Sequence, residues 1–196
     1  MRTRDIDKEL LVKEKAMELI VRQGLDGFSM NKLARECDIS VATLYIYYQD
    51  KDDLIIRIAL EEVEKMSLAV LKDFDPDAGF EEGLRQQWKN RSKHMLANPL
   101  AAQFLELLKS SNYHDRIFSG LVTMFKDTMG RFMKNAVKRG EIDDLPLEVY
   151  WSVAFAPLYN LIRFHQEGRS LGGRPFRLNE KILWQTFDLV VRGLRK

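Results

Sequence analysis

Apolar residues along this chain return every three or four positions, and no stretch alternates apolar and polar residues for long enough to argue a strand. The pattern predicts helices throughout, divided by evident breakers. The first is capped at Asp5, carries Val12, Ala16, Leu19 and Ile20 on one stripe together with Leu10 or Leu11, and stops at the glycine signal Gly24. Phe28, after Gly27, is placed to fold back over that stripe. Ser29 then caps a short helix with Met30 and Leu33 on its apolar face and the small Ala34 where a second helix can cross closely. Asp38, Ile39 and Ser40 supply a turn: Asp38 tolerates a left-handed backbone, Ile39 plugs the angle, and Ser40 caps the helix 41–48. Ala16, Leu19, Ile20, Phe28, Leu33, Ile39, Leu44 and Tyr48 would make one small core.

The rest reads as longer helices. Asp50 caps the next one, with Asp53 reaching back three residues as in a capping box, and it runs to about residue 71 through Leu54, Ile58, Val63, Met66 and Val70. Residues 73–79, with Pro76 and Gly79, break it. Helices are predicted over 80–97, 100–110, 113–139, 147–166 and 179–194. The helix 147–166 is apolar nearly all round and holds Pro157, which should kink it. The last helix reads as similarly apolar. Between these two lies a basic loop with Arg163, Arg169, Arg174, Arg177 and the pair Gly172 and Gly173.

The segment 29–51 is where the chain looks like something specific. Leu33 and Ala34, Ile39 and Ser40, Ala42 to Tyr45, Tyr47 and Tyr48, and Lys51 with Leu54 resemble the DNA-binding segment of the tetracycline-repressor (TetR) family. The likeness covers roughly residues 12–54, and beyond them only length and helical character. Asp38 stands where that family usually has Gly, and Ala42 where Gly is frequent; both keep a small or turn-tolerant residue. The resemblance implies an all-α protein with an N-terminal three-helix helix-turn-helix DNA-binding domain, residues 1–50, and a C-terminal helical ligand-binding and dimerisation domain, residues 51–196, whose first stretch 51–72 is a connecting helix. It implies a sequence-specific, ligand-responsive repressor acting as a homodimer on a double-stranded DNA operator, with an unknown small-molecule effector.

Composition sets bounds on this reading. With 196 residues and 45 % hydrophobic content the chain can bury a sizeable core. Asp5, Asp7, Lys8 and Glu9 fall where a signal peptide would be apolar, and the longest uncharged run, 149–162, is shorter than the ~20 residues a membrane span needs. A soluble, cytoplasmic protein with no membrane partner is expected. The single Cys37 excludes an intrachain disulfide and reads as a small buried hydrophobe before it reads as a redox sensor. His94, His114 and His165 lie far apart without cysteine partners, so neither a metal site nor a cofactor is expected. No nucleophile elbow, P-loop, zinc spacing or dinucleotide fingerprint occurs, which argues against an enzyme.

Charge changes the argument about DNA. The net charge is +2, and residues 1–55 hold nine Lys and Arg against eleven Asp and Glu. Bulk electrostatic grip on phosphate is therefore weak, and geometry must supply recognition. The expected DNA contacts are Ser40, Val41, Ala42, Thr43, Tyr45, Tyr47 and Lys51. By resemblance, Thr43, Tyr47 and Lys51 are assigned to phosphates, and Tyr45 with Val41 or Ala42 to bases. The competing reading is a short amphipathic helix in a core, but three tyrosines in four residues cannot all face inward. Arg2 and Arg4 read equally as a minor-groove arm or a basic terminus.

For the effector, Trp88, Arg91, Met95, Phe104, Leu108, Phe125, Met129, Phe155 and Tyr159 are the candidate pocket walls, although the same residues at helical spacing also describe an ordinary core. For the dimer, the all-round apolarity of 147–166 and of the last helix implies burial on two sides, the alternative being a central helix in a monomeric bundle. A second functional class stays open from the residues alone: a helical small-molecule or protein-binding protein that keeps the helix-turn-helix as a scaffold.

Overall fold

A computed structural model describes the backbone of residues 2–196 and the side chains of residues 8–119 and 127–196. The expectations placed on Arg2, Arg4 and Asp5, and on the side chain of Phe125, lie outside the described residues. The chain runs α1 (Arg2–Gly27), α2 (Met30–Glu36), α3 (Val41–Tyr47), α4 (Lys51–Leu71), α5 (Phe80–Ala97), α6 (Pro99–Lys109), α7 (His114–Lys138), α8 (Leu147–Ala154), α9 (Ala156–Glu167) and α10 (Glu180–Leu194). The all-α class expected from periodicity holds, and sheet is limited, among the described residues, to two isolated bridges, Ile142 with Arg195 and Arg169 with Pro175.

The helices form two compact units. Residues 1–65 and 98–121 make the first, and residues 66–97 and 122–196 the second, so α4 and α7 each contribute to both. In the first unit Val12, Ala16, Leu19, Ile20, Phe28, Leu33, Leu44 and Tyr48 are buried as their spacing predicts, with Leu54, Ile55 and Ile58 of α4 added to the same apolar interior. Gly24 breaks the helical run of α1 at φ 74°, a left-handed value that glycine adopts without a Cβ clash, and one further turn ends at Gly27. Nothing in the apolar pattern assigns α6 to this unit. It packs along α1 and buries Ala101, Phe104, Leu105 and Leu108, one face at i, i+3, i+4 and i+7.

The second unit is built on an aromatic core. Phe80, Trp88, Phe132, Tyr150, Phe155 and Phe187 are all at most 2 % exposed, each contributing about 1.5–3 kcal/mol by leaving water. α5 and α7 approach closely at Gly83, where a Cβ would stand 2.3 Å from Phe132 Cε2. The single helix expected over 147–166 is two helices. α8 ends at Phe155 (φ −126°, ψ −27°) and α9 starts immediately, with Pro157 in its first turn. A proline tolerates the first turn of a helix because the N–H it lacks has no intrahelical partner there, so the chain breaks before the proline and does not bend at it. The carbonyl of Ala154, left at the end of α8, accepts the Trp88 indole N–H at 2.8 Å. α10 departs from the all-round apolarity read in sequence. It buries Leu183, Phe187, Val190, Val191 and Leu194 on one face and leaves Leu189 57 % exposed.

Candidate nucleic-acid interface

α2 and α3 pack on each other and α2 on α1, and their ends are specified residue by residue. The Ser29 hydroxyl accepts from the backbone N–H of Lys32 at 3.3 Å, while Met30, Leu33 and Ala34 face inward. α2 closes in a Schellman motif: Ile39 N–H donates to Ala34 O at 3.0 Å and Asp38 N–H to Arg35 O at 3.2 Å. That motif needs a left-handed residue, and Asp38 supplies it at φ 52°. Aspartate in the place of glycine therefore leaves the turn intact. Cys37 sits inside it, and burial pushes its thiol above the ordinary range.

α3 is held by a cap at each end and presents most of its surface outward. Ser40 Oγ accepts from Thr43 N–H at 3.1 Å and shares a 2.9 Å hydrogen bond with Thr43 Oγ1. Leu44 is the one residue of α3 that is fully inside, and it anchors the helix against the core. Tyr45, Ile46 and Tyr47 are 52 %, 77 % and 42 % exposed, whereas Tyr48 is buried. The three tyrosines thus divide as the spacing requires. Val41 and Thr43 are half-buried, and Ser40 and Ala42 are exposed.

The junction into α4 brings in charge that α3 lacks. Asp50 Oδ1 caps Asp53 N–H at 2.8 Å, and Asp53 Oδ2 accepts from Gln49 N–H at 2.9 Å, one residue earlier than a capping box would place it. That backbone donor, followed by Arg57, holds the Asp53 carboxyl below its usual range. Arg57 pairs with Asp53 at 2.8 Å and reaches the Tyr47 carbonyl at 3.4 Å, setting a guanidinium at the C-terminal end of α3. Sequence reading passed over Arg57; its position four residues after a capping aspartate was the available signal. Lys51 Nζ donates to Leu25 O at 2.7 Å and lies 5.9 Å over the Phe28 ring. Its ammonium is turned toward the end of α1 and has two further N–H groups to offer.

The residues named for a pocket separate between the two units. Phe104 and Leu108 lie on α6 of the first. In the second, Trp88 and Phe155 are core residues, and Met95, Met129 and Tyr159 are partly buried against that core. Arg91 is 4 % exposed, donates to the Tyr159 hydroxyl at 2.6 Å and lies over the rings of Phe155 and Trp151. Among the described residues no cluster of His, Cys, Asp and Glu could hold a metal ion, and no helix is long and apolar enough to cross a membrane.

Comparison with known proteins places this geometry. Residues 14–58, which contain α2, the turn, α3 and the start of α4, match the profile of the bacterial regulatory proteins of the tetR family. Over 144 residues the chain is 31 % identical to an uncharacterized HTH-type transcriptional regulator of Haemophilus influenzae, an alignment spanning 73 % of this chain and 75 % of that one. A TetR family transcription regulator from Marinobacter aquaeolei shares the fold with a TM-score of 0.83 over 100 % of both chains, at 23 % identity. A TetR-family regulator of Haemophilus influenzae does so at 0.75 over 98 % of this chain and 99 % of that one, at 25 % identity. With a relative matched across both of its parts and a capped, outward-facing second helix in the turn motif, the chain belongs to the TetR family of transcriptional regulators, which are DNA-binding transcription factors and not enzymes.

Proposed function

We propose that this regulator is a ligand-responsive repressor that binds its operator as a homodimer in the cytoplasm, with residues 1–50 reading DNA, 51–72 connecting, and the remainder taking the effector and the partner subunit. The observation that carries the DNA contact is the exposure of Tyr45, Ile46 and Tyr47 on a helix held by Ser40, Leu44 and Tyr48. Such a helix fits the major groove, where Val41, Ala42 and Tyr45 meet base edges and thymine methyls. Ser40, Thr43, Tyr47 and Lys51 take phosphate oxygens. Because residues 1–55 are slightly acidic, affinity depends on pairing two readers on two half-sites.

The homodimer is supported by α8, which keeps Leu147, Val149, Trp151 and Val153 each at least 36 % exposed. An apolar face of that kind marks an interaction surface. In the mechanism we favour, an effector binds better to a body conformation in which the two readers no longer match the half-site spacing.

The test is binding of the purified chain to the DNA flanking its own gene, against scrambled DNA, at two salt concentrations. A sequence-selective complex with two-fold stoichiometry is expected. Absence of selectivity at both salts would overturn the reading and leave a helical binding protein using the motif as scaffold. Within that assay, Lys51→Ala lowers the slope of log K against log salt by about one, as loss of one phosphate contact does. Tyr47→Phe weakens all sequences alike, and Tyr45→Ala changes which sequence is preferred; a uniform loss for Tyr45→Ala would refute the base assignment.

A further inference from the structure

The second unit hides a polar cluster inside its aromatic core. Gln87 and Arg91, four residues apart on α5, share one helix face. Gln87 is 0 % exposed; its Nε2 donates to Val70 O at 3.1 Å, while its Oε1 has no hydrogen-bond partner among the described residues. Tyr150 is 1 % exposed, and its hydroxyl likewise has no partner among the described residues. Buried polar atoms of this kind are uncommon, and each costs about 1–3 kcal/mol when left unsatisfied, so an orphan hydroxyl within the field of the Arg91 guanidinium calls for an explanation.

Charge and protonation say what would satisfy them. Burial pushes the Tyr150 hydroxyl well above its ordinary range, while the nearby positive charge of Arg91 acts the other way. The hydroxyl is therefore a protonated donor at physiological pH, facing a field made positive by the Arg91 guanidinium. The guanidinium lies 5.2 Å from the Trp151 ring centroid and 4.4 Å from that of Phe155, and holds the Tyr159 hydroxyl at 2.6 Å. A donor, a fixed positive field and flat apolar walls form a set that suits an anionic acceptor on an apolar body. A lone water would satisfy the hydroxyl but use neither the charge nor the rings.

We infer that the cluster of Gln87, Arg91, Tyr150, Trp151, Phe155 and Tyr159 is a binding site for a small carboxylic acid with an aromatic or aliphatic body, its carboxylate taken by Tyr150 and Arg91. The inference rests on the reading of the second unit as the effector-binding part, and it names the class of effector. Gln87 Oε1 accepts from a hydroxyl of the ligand or from a water carried in with it.

Trp88 and Trp151 stand at the cluster, so the fluorescence of the full chain reports occupancy. The probes are benzoate and hexanoate, each against its neutral amide, titrated to about 5 mM, a range that catches weak complexes. Both acids bind, each at least about tenfold tighter than its amide, since a charge-assisted hydrogen bond is about twice as strong as a neutral one. Tyr150→Phe weakens the acids about tenfold and the amides by only about threefold, so the acid preference narrows, the mark of a lost hydrogen bond to a charged group. Arg91→Gln abolishes the preference; should that variant fail to fold, the acid and amide pairs with Tyr150→Phe decide the matter alone. Equal binding of acid and amide, no binding of either acid, or an acid preference untouched by Tyr150→Phe overturns the inference. The operator assay runs beside it. A selective DNA complex without acid binding removes this site and leaves the regulator standing, whereas acid binding without any selective complex keeps the site and removes the regulator reading.

Discussion

The Tyr113 hydroxyl donates to Asp52 Oδ1 at 2.5 Å, tying the residue just before α7 to the first turn of α4, 61 positions away in the chain. Tyr113 is 5 % exposed, and burial together with the Asp52 carboxylate pushes its hydroxyl far above the ordinary range. The contact lies wholly within the first unit and fixes α4 at the end that follows α3. Tyr113→Phe keeps the ring and removes the hydrogen bond. It should cost about 1.5 kcal/mol, the low end of the range for a bond to a charged acceptor, because Asp52 is exposed. Chemical denaturation followed by circular dichroism measures it, and an unchanged midpoint would show that the bond is not formed in solution.

Ser40 gives a second, local prediction. Its hydroxyl caps the N-terminus of α3, accepting from Thr43 N–H. Ser40→Ala should destabilise that helix by about 1 kcal/mol, as loss of an N-cap does. Amide hydrogen exchange at Leu44 to Tyr47 should quicken more than exchange in α1 or α4. Uniform acceleration across the first unit would mean that α3 opens only with the whole unit.

Gly83 is a packing prediction. A methyl there meets Phe132 Cε2 at 2.3 Å and Cζ at 2.7 Å, and Phe132 is itself 0 % exposed and wedged against Phe74 and Phe80. Gly83→Ala should lower stability by about 1–3 kcal/mol, as overpacking does, despite the better helix propensity of alanine. Adding Phe132→Leu should return part of the loss. A thermal melt in which Gly83→Ala is more stable than the parent would show that α5 and α7 are further apart than described.

Alkaline stability should fall in steps. Burial raises the Cys37 thiol from its ordinary 9.0, so the fold favours the neutral form. That contribution is complete below pH 9 and is lost as pH rises through the raised folded value. Burial raises Tyr48, and still more Tyr113, from 10.0, so they add their losses above that point. Cys37→Ala should therefore move the onset of alkaline destabilisation from about pH 9 to about pH 10, the next ordinary value at which a buried group begins to resist ionisation. Urea midpoints taken at half-unit steps test this, and an onset that does not move would assign the first loss to another group.

How much of this was legible in the chain depends on the range of the interactions involved. The caps Ser29, Ser40 and Asp50 and the turn at Asp38 act on backbone groups within three or four residues, so they read directly from sequence. The break at Phe155 was misplaced to Pro157 because a helical proline has two remedies, a bend or a fresh start, and packing chooses between them. The spacing of Arg57 from Asp53 signals an ion pair and nothing more, because its second target, the Tyr47 carbonyl, is backbone and carries no side-chain signal.

By itself the sequence determined that the chain is helical, where its breakers fall, and that residues 29–51 form a capped turn motif with more tyrosine than one core can take. Each of these follows from periodicity, backbone sterics or hydrogen bonding over less than two helical turns. Only the tertiary structure decided that α6 joins α1 in the first unit, and that Arg91 and Tyr159 meet inside the aromatic core of the second. Residues 91 and 159 are 68 positions apart, and apolar periodicity tells a helix which face to bury without telling it against what; the partner is chosen by how the faces fit, a property of all of them together.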